Sequence, residues 1–222
     1  MYIKGQGVEQ DYRKAMEWSR KAAEQGNAKA QYSLGVMYSK GHGVEQSYQK
    51  AVKWYQQAAK QGYARAEYSL GWMYYKGHGV EQDDWKAVEW YRRAAEQGYA
   101  KAQYSLGTKY IKGHGVEQDD EKAVEWCRRA AEQGYAPAQY ILGDMYFEGN
   151  RVKQDYRKAM KWYRKAAEQG HASAQFALGM MYHKGQGVEL DDREAIKWLH
   201  KAAEQGQSEA KYILKIIDTE GR

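Results

Sequence analysis

The sequence predicts an all-α, right-handed superhelical solenoid of stacked antiparallel helix pairs, and three observations carry that prediction. The first is a strict period of 36 residues. Gly5, Gly41, Gly77, Gly113, Gly149 and Gly185 share it, as do Gly26, Gly62, Gly98, Gly134, Gly170 and Gly206. Trp18, Trp54, Trp90, Trp126, Trp162 and Trp198 form a third series. Units this short cannot bury their own apolar faces and must stack. The second observation is that no repeat carries an insertion, and residues 77–112 match 113–148 at 28 of 36 positions. The third is composition. Leu, Ile, Val and Phe make up only 27 of 222 residues, a level that indicates disorder when net charge is high. Here 35 basic groups face 29 acidic ones, and 21 Tyr, 8 Trp and 8 Met supply the apolar surface instead. No apolar run approaches the roughly 18 residues of a membrane span, and none resembles a signal peptide. The single cysteine, Cys127, excludes an internal disulfide or a cysteine-based zinc site.

Each repeat reads as two helices. The first runs from about Ala64 to Lys76 and stops at Gly77, a residue suited to the left-handed conformation past a helix end. Residues 77–82 form the turn, and Asp83 is a good N-cap for the second helix. Asp11, Ser47, Asp119, Asp155 and Asp191 hold the same place in the other repeats. Within the second helix Ala87, Trp90, Tyr91, Ala94 and Ala95 fall on one stripe at helical spacing. Gly98 ends that helix. Pro137 lies in the first turn of a first helix, where its missing N–H costs nothing. Ala64, Ala66, Ala100 and Ala102 let neighbouring helices approach closely.

These residues resemble the Sel-one-like repeat family, a branch of the tetratricopeptide-like solenoids. The family's pattern is similar to Ala64, Ala66, Leu70, Gly71 and Tyr74, then Gly77, Gly79, Val80 and Asp83, then Ala87, Trp90, Tyr91, Ala94, Ala95 and Gly98. Plain tetratricopeptide repeats have a shorter period and turn. The resemblance implies an adaptor or scaffold that binds proteins or peptides without catalysis. One branch of the family bridges its helix pairs with disulfides; this chain lacks those cysteines. The expected organisation is one array over 1–222, with a partial repeat at 1–26 and full repeats at 27–62, 63–98, 99–134, 135–170 and 171–206. A capping helix at 207–222 completes it. Met1 and Tyr2 align with Met37 and Tyr38, so the chain is expected to start in the last turn of a first helix, either because it is cut from a larger protein or because the array begins with an unpaired second helix. At the other end Lys215 and Asp218 replace Gly35 and Tyr38, the polar outer face of a natural terminus. The expected setting is soluble, in a bacterial cytoplasm or periplasm, as a monomer.

Catalytic and metal chemistry find no support. His42, His78 and His114 recur at one turn position, but stacked repeats set equivalents about 10 Å apart, too far to share a metal. Cys127 takes the slot of Tyr55, Tyr91 and Tyr163 on the buried stripe, a small core residue with no base beside it. The Gly-x-Gly turns join two helices, the wrong context for a phosphate loop. Glu17, Glu89, Glu125 and Glu132 interrupt the basic groups of the second helices, which argues against a nucleic-acid stripe. No cofactor, metal or catalytic residue is expected. The rival readings are a small-molecule binder or hydrolase and a purely structural spacer.

The binding face follows from which positions vary. Along the first helix Ala28, Ala30, Gln31, Tyr32, Leu34, Gly35 and Tyr38 repeat almost unchanged, whereas Lys29, Ser33, Val36 and Lys40 vary and share one face. Six of the eight differences between 77–112 and 113–148 fall in the first helix, Lys109/Met145 among them. In a solenoid of the resembled kind the first helices line the concave side. The candidate partner-binding residues are therefore Lys29, Tyr32, Val36 and Lys40 in one repeat, and Arg65, Tyr68, Trp72, Tyr75 and Lys76 in the next. Lys101, Tyr104, Thr108, Ile111 and Lys112 follow, then Tyr140, Asp144 and Phe147. This face is basic and aromatic toward the N-terminus and turns neutral or acidic at Pro137, Asp144, Glu148, Ser173 and Glu209. The expected partner is a protein or peptide with an acidic, apolar-containing segment seated near Trp72 and Tyr75.

Overall fold

The computed structural model describes residues 12–220, and among them it contains twelve α-helices of 13 residues each and no strands. They fall into two compact units, one ending at Gln118 and one beginning at Asp119. The first holds α1 (Tyr12–Glu24), α2 (Ala28–Lys40), α3 (Tyr48–Lys60), α4 (Ala64–Lys76), α5 (Asp84–Glu96) and α6 (Ala100–Lys112). The second holds α7 (Asp120–Glu132), α8 (Ala136–Glu148), α9 (Tyr156–Glu168), α10 (Ala172–Lys184), α11 (Asp192–Glu204) and α12 (Ser208–Glu220). Within each unit every helix packs on its neighbours in sequence, so the fold is an all-α stack of repeated helix pairs. No helix among the described residues is long and apolar enough to cross a membrane. The expected cap Asp11 lies outside the described residues, as do Met1, Tyr2 and Gly5.

The expected punctuation is in place. Ser47, Asp83, Asp119, Asp155 and Asp191 each accept a backbone N–H three residues on, which satisfies one of the free donors at a helix start. Gly41, Gly77, Gly113, Gly149 and Gly185 end the even-numbered helices α2 to α10 in the left-handed conformation. The second glycine of the turn has a different reason. A Cβ at Gly79 would lie 2.5 Å from the backbone carbon of Tyr48, at the start of α3, so the turn closes directly onto the preceding pair. At the equivalent places in the second unit stand Gly187 and Arg151, the latter held at φ 69° with its guanidinium 2.7 Å from Asp120.

The core of each unit repeats the same small and large residues. Leu34, Leu70, Leu106, Leu142 and Leu178 are fully buried, with Ala51, Ala87, Ala123, Ala159 and Ala195 beside them in sequence rank. Buried amides join successive repeats. Gln139 donates to the Ala131 carbonyl at 3.1 Å and accepts from Gln169 at 2.8 Å, and Gln175 repeats the pattern with Ala167 and Gln205. These side chains therefore satisfy buried polar groups on both sides. The second-helix stripe differs from expectation in one member. Val88 joins Ala87, Tyr91, Ala94 and Ala95 in the core, while Trp90 lies half-buried at the edge with the Arg93 guanidinium 4.7 Å from its ring. Among these tryptophans Trp198 is buried, and Trp18 is 62% exposed.

Candidate functional site

The varying positions of the even-numbered helices lie on the partly exposed face in both units. In the first unit Lys29, Lys40, Arg65, Lys76, Lys101 and Lys112 are exposed, and Tyr32, Val36, Tyr68, Trp72, Tyr75, Tyr104, Thr108 and Ile111 are half-buried. The tyrosines form a layered wall. Tyr32 packs on Tyr55 and Tyr63 with ring centroids 5.7 and 5.4 Å apart, and Tyr68 does the same with Tyr91 and Tyr99 at 5.6 and 5.4 Å. Burial raises the Tyr32, Tyr68 and Tyr99 phenols above their usual value and pushes Tyr55 up to about 12. All four stay neutral at physiological pH and act as uncharged hydrogen-bonding groups. Trp72 rests edge-on against His78 at 5.0 Å, and the His78 ring stacks on Tyr48 at 4.5 Å. His78 is therefore wedged between the indole and Tyr48.

Tyr75 carries a feature that the pattern of variation misassigned. Lys109 varies between repeats, but it is only 5% exposed and fills the core position that Met37, Met73, Met145 and Met181 occupy elsewhere. Its ammonium lies 3.9 Å from the Tyr75 ring centre and 2.5 Å from Asp84. A buried ammonium needs such partners, since desolvating it alone is costly. The difference between Lys109 and Met145 is thus an exchange inside the core and not a change on the binding face.

In the second unit the same face carries a cleft of about 530 Å³. Tyr140, Asp144 and Phe147 come together there, joined by Phe176 and Met180 from α10. The Tyr163 hydroxyl donates to Asp144 at 2.6 Å. Burial raises the Asp144 carboxyl above its ordinary value, and the hydrogen bonds from Tyr163 and Tyr140 offset only part of that.

Three wall residues escaped the sequence reading: Tyr63, Tyr99 and His171. They stand at the N-caps of α4, α6 and α10, positions to which the sequence reading assigned no role. Tyr63 and Tyr99 make no side-chain capping bond and instead pack on the groove tyrosines, while His171 both caps α10 and stacks on Tyr140 at 4.9 Å. The recurring Gly-Tyr-Ala between repeats, Gly-His-Ala at His171, was the available signal. Cys127 is fully buried, which pushes its thiol up to about 12, far from the thiolate that nucleophilic chemistry uses. Among the described residues no group of three or more His, Cys, Asp or Glu side chains is placed to hold a metal ion.

The Sel1 repeat pattern matches residues 1–27, 28–63, 64–99, 100–135, 136–171 and 172–207. Among solved structures the chain is similar to a protective antigen present in uropathogenic Escherichia coli strains and displaying an SLR fold, at 41% identity and a TM-score of 0.93. That match covers 99% of this chain and 47% of the other. A Sel1 repeat protein from Oxalobacter formigenes is 42% identical at a TM-score of 0.91, over 98% of this chain and 63% of that one. An immunity protein from Pseudomonas aeruginosa is 28% identical at a TM-score of 0.58, over 85% and 72%. The chain spans about half the length of the first of these and less than two thirds of the second. Comparison with curated proteins finds no match.

Proposed function

The chain belongs to the Sel1 repeat family, and from that premise we propose that it is a non-catalytic scaffold whose even-numbered helices bind a peptide or protein partner along their varying face. Sel1 repeat proteins are generally protein-interaction scaffolds, and the family is generally non-catalytic. The observation that favours this face is the half-exposed aromatic wall of Tyr32, Tyr68 and Trp72, flanked by the exposed cations Arg65, Lys76 and Lys101. Partly buried aromatics with polar tips are the side chains that most often dominate interface energy, while lysines at the edge steer encounter. The partner segment proposed for the first unit is acidic and apolar, and it lies against Trp72 and Tyr75. No cofactor or metal takes part, and the scaffold acts as a monomer. Selection of random dodecapeptides on the full chain tests the reading. The expected result is a pool enriched in Asp or Glu beside apolar residues, and a pool with no enrichment contradicts it.

A further inference from the structure

The cleft of the second unit has the wrong charge for the partner segment proposed above. Three carboxylates, Asp144, Glu148 and Glu209, line it against one ammonium, Lys184. Its walls are aromatic and thioether: Tyr140, Phe147, Phe176 and Met180. At about 530 Å³ it falls within the size range of sites that enclose a small ligand or a large side chain. Asp144 is set into the wall where the other repeats carry Val36, Trp72, Thr108 and Met180, so its carboxylate is not a requirement of the fold. Phe147 packs on Tyr156 and Tyr163 at 5.3 and 6.3 Å, which fixes one ring of the wall. Among the described residues neither Asp144 nor Glu148 forms an ion pair with any Lys, Arg or His.

We propose that this cleft receives an arginine side chain of the bound peptide, its guanidinium against Asp144 and Glu148 and its plane on the aromatic wall. Charge complementarity selects a cation. The combination of flat aromatic faces with carboxylates selects arginine over lysine, because the planar guanidinium stacks on rings and also bonds a carboxylate through two N–H groups. The site therefore reads one basic residue of a bound peptide. This inference rests on the scaffold reading and adds the chemistry of one contact.

The test takes peptides selected from the random dodecapeptide library on the full chain, then synthesises each with its arginines replaced by citrulline, the neutral isostere. Titration should show binding weakened at least about tenfold by citrulline at one position. Glu148→Lys installs the residue that Lys40, Lys76, Lys112 and Lys184 already supply in other repeats, so the fold tolerates it. It should lose a similar factor for the arginine peptide and almost none for the citrulline one. Asp144→Asn, which keeps an acceptor for Tyr163, should behave the same way. Citrulline peptides that bind as tightly as their parents overturn the proposal, as does an unchanged affinity in both variants. If selected peptides depend on Trp72 and Tyr75 yet lack arginine, the arginine site falls while the scaffold reading stands. If no peptide is selected, both fall.

Discussion

Asp144 shows how a single substitution in a repeated sequence separates stability from binding. Burial raises its carboxyl, so the folded chain holds that proton to higher pH than the unfolded chain does. Between the ordinary carboxylate value and the raised one the native state binds more protons, and stability falls as pH rises through that window. Asp144→Asn removes the ionisation and keeps the Tyr163 hydrogen bond. Its melting temperature should match or exceed that of the parent at pH 7.5, with the gap closing as the pH is lowered into the carboxylate range. A lower melting temperature at pH 7.5 would show that the carboxylate is a structural asset. Cys127 offers a second check at this scale. With the thiol buried and held near 12, a thiol reagent such as DTNB should react with it only after denaturant is added. Rapid labelling of the native chain would place the side chain at the surface. The sequence identified Cys127 as core because its slot is tyrosine elsewhere. It did not identify Lys109 as core, because a lysine is read as exposed until Asp84 and Tyr75, 25 and 34 residues away in the chain, are seen beside it.

The helices themselves were legible because their ends are marked in every repeat, by Asp or Ser before the odd-numbered helices and Gly after the even-numbered ones. Less legible was how closely paired helices approach. A Cβ on Gly71 would lie 2.6 Å from the Tyr91 ring and 3.0 Å from the Ala87 carbonyl, and Gly143 meets Tyr163 at the same distance. The glycine is thus a seat for the tyrosine of the partner helix. Alanine is the better helix former by about 1 kcal/mol, so Gly71→Ala should stabilise an isolated α4. In the folded chain the overpacking costs roughly 1–3 kcal/mol and wins. Urea titration should show a lower midpoint for Gly71→Ala, and an unchanged or higher midpoint would refute the close approach. The wall residues Tyr63 and Tyr99 stayed hidden for a related reason. Their positions are caps by spacing, but the contacts that define their role come from Tyr32 and Tyr68, about thirty residues upstream.

Across the chain the varying face changes character between the two units. Exposed Arg65, Lys76, Lys101 and Lys112 belong to the first, and Asp144, Glu148 and Glu209 to the second. Cations at the edge of an interface act mainly on association rate, so Lys76→Glu with Lys112→Glu should slow binding of an acidic peptide and weaken its salt dependence, with little change in dissociation. An unaltered association rate would remove steering from the account. The central claim is that the varying face of the even-numbered helices is the binding surface, and it has a natural competitor in Trp85. That indole is 71% exposed on α5, among the odd-numbered helices, and is available to anchor a partner on the opposite type of helix. The most direct measurement is the affinity of a selected peptide for Trp72→Ala with Tyr75→Ala, beside Trp85→Ala, each first shown to fold by circular dichroism. The account predicts a loss of about 2 kcal/mol or more in the double variant and none at Trp85. Unchanged binding in the double variant with a loss at Trp85→Ala would move the site to the odd-numbered helices and contradict it.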